Sequence, residues 1–327
     1  MSSRILVTGA TGFVGSHLAE SLRERDCTVR LLVRNPKKLK WFNPSDYELA
    51  IGDAQNEQVL VESVRNVDTV IHCAGVTKTA HPKEFYDVNE VATRRLAKAS
   101  ESAGVRRFVL CSTHAVCGPS GSERMAIESD PEEPITHYGK SKLAGELALK
   151  EECCKTDWVI LRPPSVMGPR DEQFFPLFRM MWKSKIYTQV GMKVRRYSLI
   201  GVHDVVRALV RAAEAESGLR QTYFVAMPQP VAWNAVAQAF AEVTGKTPLK
   251  VTLPEFVAKA VGLFGDLSMK LSGKPALLNS EKVREILAAG WICNPAKIDE
   301  MWGFRCEDRL EEVVRATFEF YRNENRL

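Results

Sequence analysis

The stretch RILVTGATGFVGSHLAESLRER, residues 4–25, constrains the fold more than any other part of the chain. Ile5, Leu6 and Val7 form a short apolar run of the kind found in a buried parallel strand. Val14, Leu18 and Leu22 then recur four apart with polar residues between them, as an amphipathic helix requires. Gly9, Gly12 and Gly15 lie at the junction. A glycine-rich turn from strand into helix aims backbone N–H groups at the helix N-terminus, where they and the helix dipole stabilise an anion such as a pyrophosphate. The first glycine permits the tight turn, the second lets the backbone approach the ligand, and the third lets the helix pack on the strand. The spacing G-x-x-G-x-x-G is one residue looser than G-x-G-x-x-G. By itself it is readable as a phosphate cradle or as a plain strand–turn–helix.

The rest of the chain narrows that choice. Apolar runs at 28–33, 47–53, 68–75, 106–113 and 157–164 read as further strands, and helical stretches at 56–66, 84–103 and 138–153 separate most of them. The alternation predicts an α/β fold, a doubly wound parallel sheet of Rossmann type, with its ligand at the carboxyl ends of the strands. Beyond residue 165 the pattern loosens. Segment 170–200 is irregular and aromatic, 203–215 reads as a helix and 221–227 as one more strand, and 232–327 is mostly helical. The expected division is a dinucleotide-binding domain over 1–168, to which 200–227 returns. A smaller, mostly helical substrate lobe would comprise 169–199 and 228–327. The basic residues behind the net charge of +5 are scattered, which argues against nucleic acid as partner. No apolar run approaches the ~20 residues of a membrane span. Eight cysteines without a C-x-x-C pair or a metal-like spacing point to no metal and to a reducing, cytoplasmic setting.

Two further positions speak to chemistry. At the end of the second strand a dinucleotide fold selects its adenosine ribose, and an acid there would accept from the 2′-hydroxyl of NAD. This chain has Arg34, followed by Lys37 and Lys38. A cation at that place pairs with a 2′-phosphate and favours NADP(H) over NAD(H). An Arg34 stacked on adenine or merely solvated leaves NAD open. In THYGKSKLAGELALK, Tyr138 and Lys142 are four apart, hence on one face of a helix. A nearby ammonium lowers a phenol's pKa, which would suit Tyr138 to acid/base work on a carbonyl/alcohol pair. An ordinary surface pair has the same spacing.

TGATGFVG, HCAG, VLCSTHAVCGP, YGKSK and LRPPSVMGP follow one another over the first 170 residues, and GVHDVVRAL and RLEEVVRATFEFYRN come later. The set resembles the extended short-chain dehydrogenase/reductase family, which includes sugar-nucleotide epimerases and dehydratases. The resemblance implies a Rossmann domain, a nicotinamide dinucleotide, catalysis by Ser/Thr, Tyr and Lys, and a homodimer. It implies that Gly9, Thr11, Gly12, Phe13, Val14 and Gly15 form the pyrophosphate loop. Asp53, with Ala54, would contact the adenine, and Ala74 and Gly75 would lie beside the adenosine ribose. Pro163, Ser165 and Val166 would wall the nicotinamide. Thr113 falls at the catalytic hydroxyl position, with Ser112 its competitor on the opposite face. Tyr138 matches the proton donor or acceptor, Lys142 the residue that holds the ribose and polarises Tyr138, and Asn89 a helix asparagine of the proton relay.

Departures from the family pattern matter as much. His114 and Ala115 stand where dehydratases of the family carry Asp-Glu, which argues against elimination chemistry. Tyr197, preceded by Arg195 and Arg196, stands where many sugar-nucleotide enzymes carry an arginine seven residues before the acid that Asp204 matches. Cys117 replaces a common tyrosine. Residues 254–286 look closer to the branch that resembles dihydroflavonol reductases and 3β-hydroxysteroid dehydrogenases. Phe174, Phe175, Phe178, Met180, Met181 and Trp182 read as a pocket wall or, more simply, as core. The expectation is an NADP(H)-preferring oxidoreductase acting on a small-molecule carbonyl or alcohol. An NAD-dependent sugar-nucleotide epimerase and a non-catalytic NADP-binding regulator are the alternatives.

Overall fold

A computed structural model describes residues 3–121 and 123–327. The first half alternates strand and helix: β1 (Ser3–Thr8), α1 (Phe13–Arg23), β2 (Cys27–Val33), β3 (Glu48–Ile51), α2 (Glu57–Ser63), β4 (Thr69–His72), α3 (Pro82–Tyr86), α4 (Ala92–Ser102), β5 (Arg107–Cys111), α5 (His137–Glu152) and β6 (Asp157–Arg162). There follow β7 (Ser165–Met167), α6 (Phe175–Arg179), β8 (Ile186–Val190), β9 (Arg196–Tyr197), β10 (Leu199–Gly201), α7 (Val202–Glu214) and β11 (Gln221–Phe224). The chain ends with β12 (Val231–Ala232), α8 (Trp233–Thr244), β13 (Leu249–Leu253), α9 (Glu255–Ser272), α10 (Ser280–Leu287), β14 (Gly290–Trp291), α11 (Ala296–Trp302) and α12 (Leu310–Asn323).

Seven strands form one parallel sheet in the order β11-β6-β5-β4-β1-β2-β3. The order reverses between β1 and β4, and a crevice opens outside the carboxyl ends at such a switch point. Both faces are covered, so the central strands are apolar on both sides. Val7, Ile71, Val109 and Leu161 meet Leu18 of α1 and Val205 and Leu209 of α7 on one face. Leu6, Val70, Phe108 and Ile160 meet Leu60, Leu96 and Leu149 of α2, α4 and α5 on the other. The period-two split between these clusters is the pleat itself. Within segment 200–227, α7 packs on one face of the sheet and β11 pairs with β6 at its edge.

Two expectations are corrected in detail. The helix expected over 84–103 is α3 and α4 joined by a π-helical turn at Asp87–Val91. Segment 170–200, expected to be irregular, contains α6, β8, β9 and β10. The aromatic and methionine cluster is core: Phe174, Phe178 and Met181 pack with Phe240 of α8 and Val314, Phe318 and Tyr321 of α12.

Candidate active site

The glycine turn lies at the switch point. Gly9 takes φ +80°, and a Cβ there would stand 2.6 Å from the Ala74 nitrogen. A Cβ at Gly15 would run into the Gly9 carbonyl, so that glycine lets α1 close onto the turn. Gly12 donates to Gly9 O at 2.8 Å and caps α1, which has neither a side-chain cap nor an acid in its first turn. Thr11 and Gly12 are exposed, and Phe13 and Val14 are half-buried beside them. A helix start of this kind, with its donors uncommitted to side chains, fits a pyrophosphate.

The expected adenosine residues are grouped at the ends of β2, β3 and β4. The exposed Arg34 guanidinium stands 3.9 Å from the Asp53 carboxylate. Asp53 Oδ1 accepts from Gln55 N at 2.9 Å in a local turn, and Ala54 follows half-buried. Asn56, not Asp53, caps α2. Ala74 N donates to Thr8 Oγ1 at 3.2 Å, and a Cβ on the adjoining Gly75 would approach Asn89 Oδ1 at 3.1 Å and Lys142 Nζ at 4.0 Å. Across the crevice, the Pro163 carbonyl accepts from His114 N at 2.8 Å, and Ser165 and Val166 open β7.

Thr113, Tyr138 and Lys142 come together beyond β5. Thr136 caps α5 by accepting from Gly139 N, which sets Tyr138 in the first turn and Lys142 one turn on. Thr113 Oγ1 accepts from Ala115 N at 3.2 Å, and the same hydroxyl faces the Tyr138 phenol. Ser112 is taken elsewhere: its hydroxyl donates to the buried Glu146 carboxylate. Lys142 is buried and donates to the Cys111 carbonyl at 2.8 Å, beside the Cys73 and Cys111 thiols. Here the structure departs from the expectation that Lys142 lowers Tyr138. The ammonium is engaged by Cys111, and burial holds the half-buried phenol above its ordinary pKa, opposed by the Thr113 hydroxyl. Burial likewise pushes Lys142 down.

Asn89 sits in the π-helical turn with every amide group in use. Oδ1 accepts from Val76 N at 2.8 Å, and Nδ2 donates to Val76 O at 3.0 Å and to Ser141 Oγ at 2.9 Å. Its side chain therefore clamps the turn after β4 to α5. His114 packs edge-on against Phe224 and Trp291, and burial lowers it to about 4. Arg195 is spent on the Val190 and Ala288 carbonyls and Glu255. Asp204 accepts from Glu307 N and Asp308 N. Cys117 accepts from the Arg162 guanidinium at 3.4 Å.

Two buried groups behind the site went unread in the sequence. Glu146 and Arg162 form an ion pair at 2.6 Å, with Arg162 also on Glu132 at 2.9 Å. Tyr138, Lys142 and Glu146 recur every four residues, and that spacing was the available signal. His72 accepts from Thr8 Oγ1 at 2.6 Å and donates to Thr93 Oγ1 at 3.0 Å, while Thr93 donates to Asn89 O at 2.9 Å. This chain of bonds ties the glycine turn to the π-helical turn. A surface cavity of about 450 Å³ lies elsewhere, among Glu128, Lys150, Trp158, Arg220 and Lys297, and contains none of the candidate residues.

The profile of the NAD dependent epimerase/dehydratase family matches residues 5–226. Ceramide reductase of Caulobacter vibrioides (strain NA1000 / CB15N) is 28% identical over 319 residues, covering 97% of this chain and 94% of that one. The decarboxylating sterol-4-alpha-carboxylate 3-dehydrogenase of Mus musculus is 26% identical over 337 residues, covering 98% and 91%. Among solved structures, MoeE5 in complex with UDP-glucose and NAD has a TM-score of 0.79 at 25% identity, over 99% of this chain and 100% of that one. The match spans the glycine turn, the switch point and the residues beyond β5, so the chain belongs to the NAD dependent epimerase/dehydratase family and is an oxidoreductase of the extended short-chain dehydrogenase/reductase type.

Proposed function

We propose that the chain is an NADP(H)-preferring reductase or dehydrogenase that works on the carbonyl/alcohol carbon of a largely apolar substrate. The observation that carries the reading is the Thr113 hydroxyl facing the Tyr138 phenol beside the crevice, with Lys142 on the same face of α5. A bound nicotinamide would supply or accept the hydride. Tyr138, kept protonated by burial, gives its proton to the substrate oxygen as an alkoxide develops, or retrieves it in the reverse direction. Thr113 donates to that same oxygen and stabilises its charge. Lys142 holds the ribose hydroxyls, and Asn89 positions α5 against the turn that carries Ala74 and Gly75.

Arg34 supports the preference for NADP(H): no acid stands at the end of β2, and an exposed guanidinium in its place suits a 2′-phosphate. The apolar substrate is supported by relatives named for ceramide and sterol carboxylate. One observation favours a second reading, an NAD-dependent sugar-nucleotide epimerase: MoeE5 holds UDP-glucose and NAD in the same fold.

Titration of the purified protein with NADPH and NADH, followed by fluorescence and thermal shift, separates the two. The expected result is tighter NADPH binding by roughly 10- to 100-fold, the worth of a charge-assisted contact, erased by Arg34→Ala. Preference for NADH, or NAD⁺ retained through purification, would put the epimerase first. Tyr138→Phe is expected to cut turnover about 10²- to 10⁴-fold while leaving cofactor affinity unchanged. A regulator would keep its function in that variant.

A further inference from the structure

α9 is packed with its small residues inward and its large ones outward. Ala258, Gly262 and Gly265 are its buried positions. A Cβ at Gly262 would stand 2.9 Å from Val283 of α10, and one at Gly265 would run into the Leu278 carbonyl, so the glycines let α9 lie close on α10 and the segment before it. Phe256, Leu263, Phe264, Leu267 and Leu271 are 73, 66, 73, 52 and 81% exposed. At 3.6 residues per turn these five fall within an arc of about 100°, opposite the Ala258–Gly262–Gly265 stripe. Met192 and Val194 are also exposed, on the turn where Gly191 meets Glu255 at the start of α9. A contiguous apolar surface of this kind marks an interaction site.

The charges around it have one sign. Lys259 and Lys270 flank the stripe along one edge of α9, and Lys193, Lys250 and Lys274 lie in the adjoining segments. Among the described residues, the lysine ion pairs are those of Lys83 and Lys282, so all five are unpaired. The two acids of α9 are spent internally: Glu255 on Arg195 at 2.9 Å, and Asp266 on Ser280 N at 3.2 Å. A second copy of the chain would set these lysines against themselves, with no spare acid on the face to meet them.

We propose that α9 docks the protein on an anionic lipid bilayer, with Phe256, Leu263, Phe264, Leu267 and Leu271 at the acyl boundary and the lysines at the phosphates. An amphipathic helix with bulky apolar residues on one side and lysines beside them lies in the membrane interface. It does not cross: no helix among the described residues is long and apolar enough to do so. α10, on which α9 packs, touches the first turn of α5, where Glu281 accepts from His137 N at 3.0 Å and Arg284 donates to Ile135 O at 3.1 Å. Two helices, α9 itself and α10, with axes about 8–10 Å apart, thus separate the docking face from the turn that bears Tyr138. A substrate anchored in that bilayer by a long apolar chain could reach the site with its polar end. This consequence rests on the oxidoreductase reading, whereas the docking does not.

The test is flotation of the whole protein with vesicles of phosphatidylcholine alone and with phosphatidylglycerol added. The wild type is expected to float with the anionic vesicles and to be released by high salt. Phe264→Ser/Leu267→Ser and Lys259→Glu/Lys270→Glu are each expected to weaken binding by about tenfold or more. Both variants change exposed positions only, and unchanged NADPH affinity and circular dichroism would show intact folding. Absence of flotation, or flotation equal in the variants, would overturn the proposal. So would a dimer that Phe264→Ser/Leu267→Ser dissociates without vesicles, because the second copy would then be the occupant. Flotation reads no turnover, so loss of the proposed chemistry and loss of docking are separate results.

Discussion

At the scale of single residues, the site turns on two adjacent hydroxyls. Ser112 and Thr113 leave the end of β5 on opposite sides, as successive residues of an extended chain must. Ser112 satisfies Glu146, a buried carboxylate already paired with Arg162. Thr113 accepts only a local backbone bond and keeps its hydroxyl at the Tyr138 phenol. The two substitutions should therefore separate stability from turnover. Thr113→Val is expected to lower kcat by about 10²- to 10³-fold, the usual loss of one donor to a developing oxyanion, with affinity for the nicotinamide cofactor retained. Ser112→Ala is expected to cost about 1–3 kcal/mol of stability by leaving a buried carboxylate short of a donor, with kcat nearly unchanged. Kinetics and urea denaturation on both variants check this, and the reverse pattern would give the role to Ser112. The alternation of the strand already required that only one of them serve. The family resemblance put that role on Thr113; what stayed unread is the partner that occupies Ser112, because Glu146 comes beside it by tertiary packing of α5 on β5.

At the scale of elements, the sheet was legible because its strands are buried on both faces and so announce themselves as apolar runs. The π-helical turn was not, since no residue type marks it. It arises where three elements compete for one space. Asn89 bonds both polar groups of Val76 and the Ser141 hydroxyl, and α5 lies so near that a Cβ on Gly145 would collide with the Asn89 carbonyl. Gly145 is thus the residue that lets α5 bring Tyr138 and Lys142 against the turn after β4. Gly145→Ala has no gentle solution, because the obstacle is backbone within a hydrogen-bonded turn. It is expected to destabilise the protein by about 1–3 kcal/mol, as overpacking of a filled core does. It should also lower kcat by shifting α5, although Gly145 touches no reacting group. Thermal denaturation and steady-state kinetics test both effects. A stabilised variant, as for glycine to alanine in an open helix, would show that α5 can move away freely. The orientation of α9 was equally hidden: its apolar residues look like core in the sequence, and only the close approach permitted by Gly262 and Gly265 turns them outward.

For the whole molecule, buried groups that titrate make stability depend on pH. Burial lowers His72 to about 3 and His114 to about 4, against an ordinary 6.5, and raises Asp171 from 3.8 to about 6. Between its folded value and 6.5 each histidine binds a proton in the unfolded chain but not in the native one. Each therefore takes away stability as the pH falls through that range, by about 1.4 kcal/mol per pH unit. Asp171 works in the opposite direction, holding its proton in the native state between about 6 and 3.8 and so adding stability as the pH falls there. From pH 7 to pH 5 the histidines together lose about 4 kcal/mol and Asp171 returns about 1.4, leaving a net loss of roughly 3 kcal/mol from these three groups. That is a large share of the 5–15 kcal/mol typical of a folded protein. Urea denaturation at the two pH values should show it. His114→Phe should reduce the loss by about 2 kcal/mol, because the ring can keep its packing on Phe224 and Trp291 without a titrating group. His72 has the wider consequence. Its ring joins Thr8, which receives Ala74 N, to Thr93, which holds the Asn89 carbonyl. A proton on Nδ1 removes the acceptor that Thr8 needs, so acid should weaken binding of the nicotinamide cofactor before the fold is lost. Cofactor affinity independent of pH down to the unfolding transition would show that the glycine turn holds its shape without this chain of bonds.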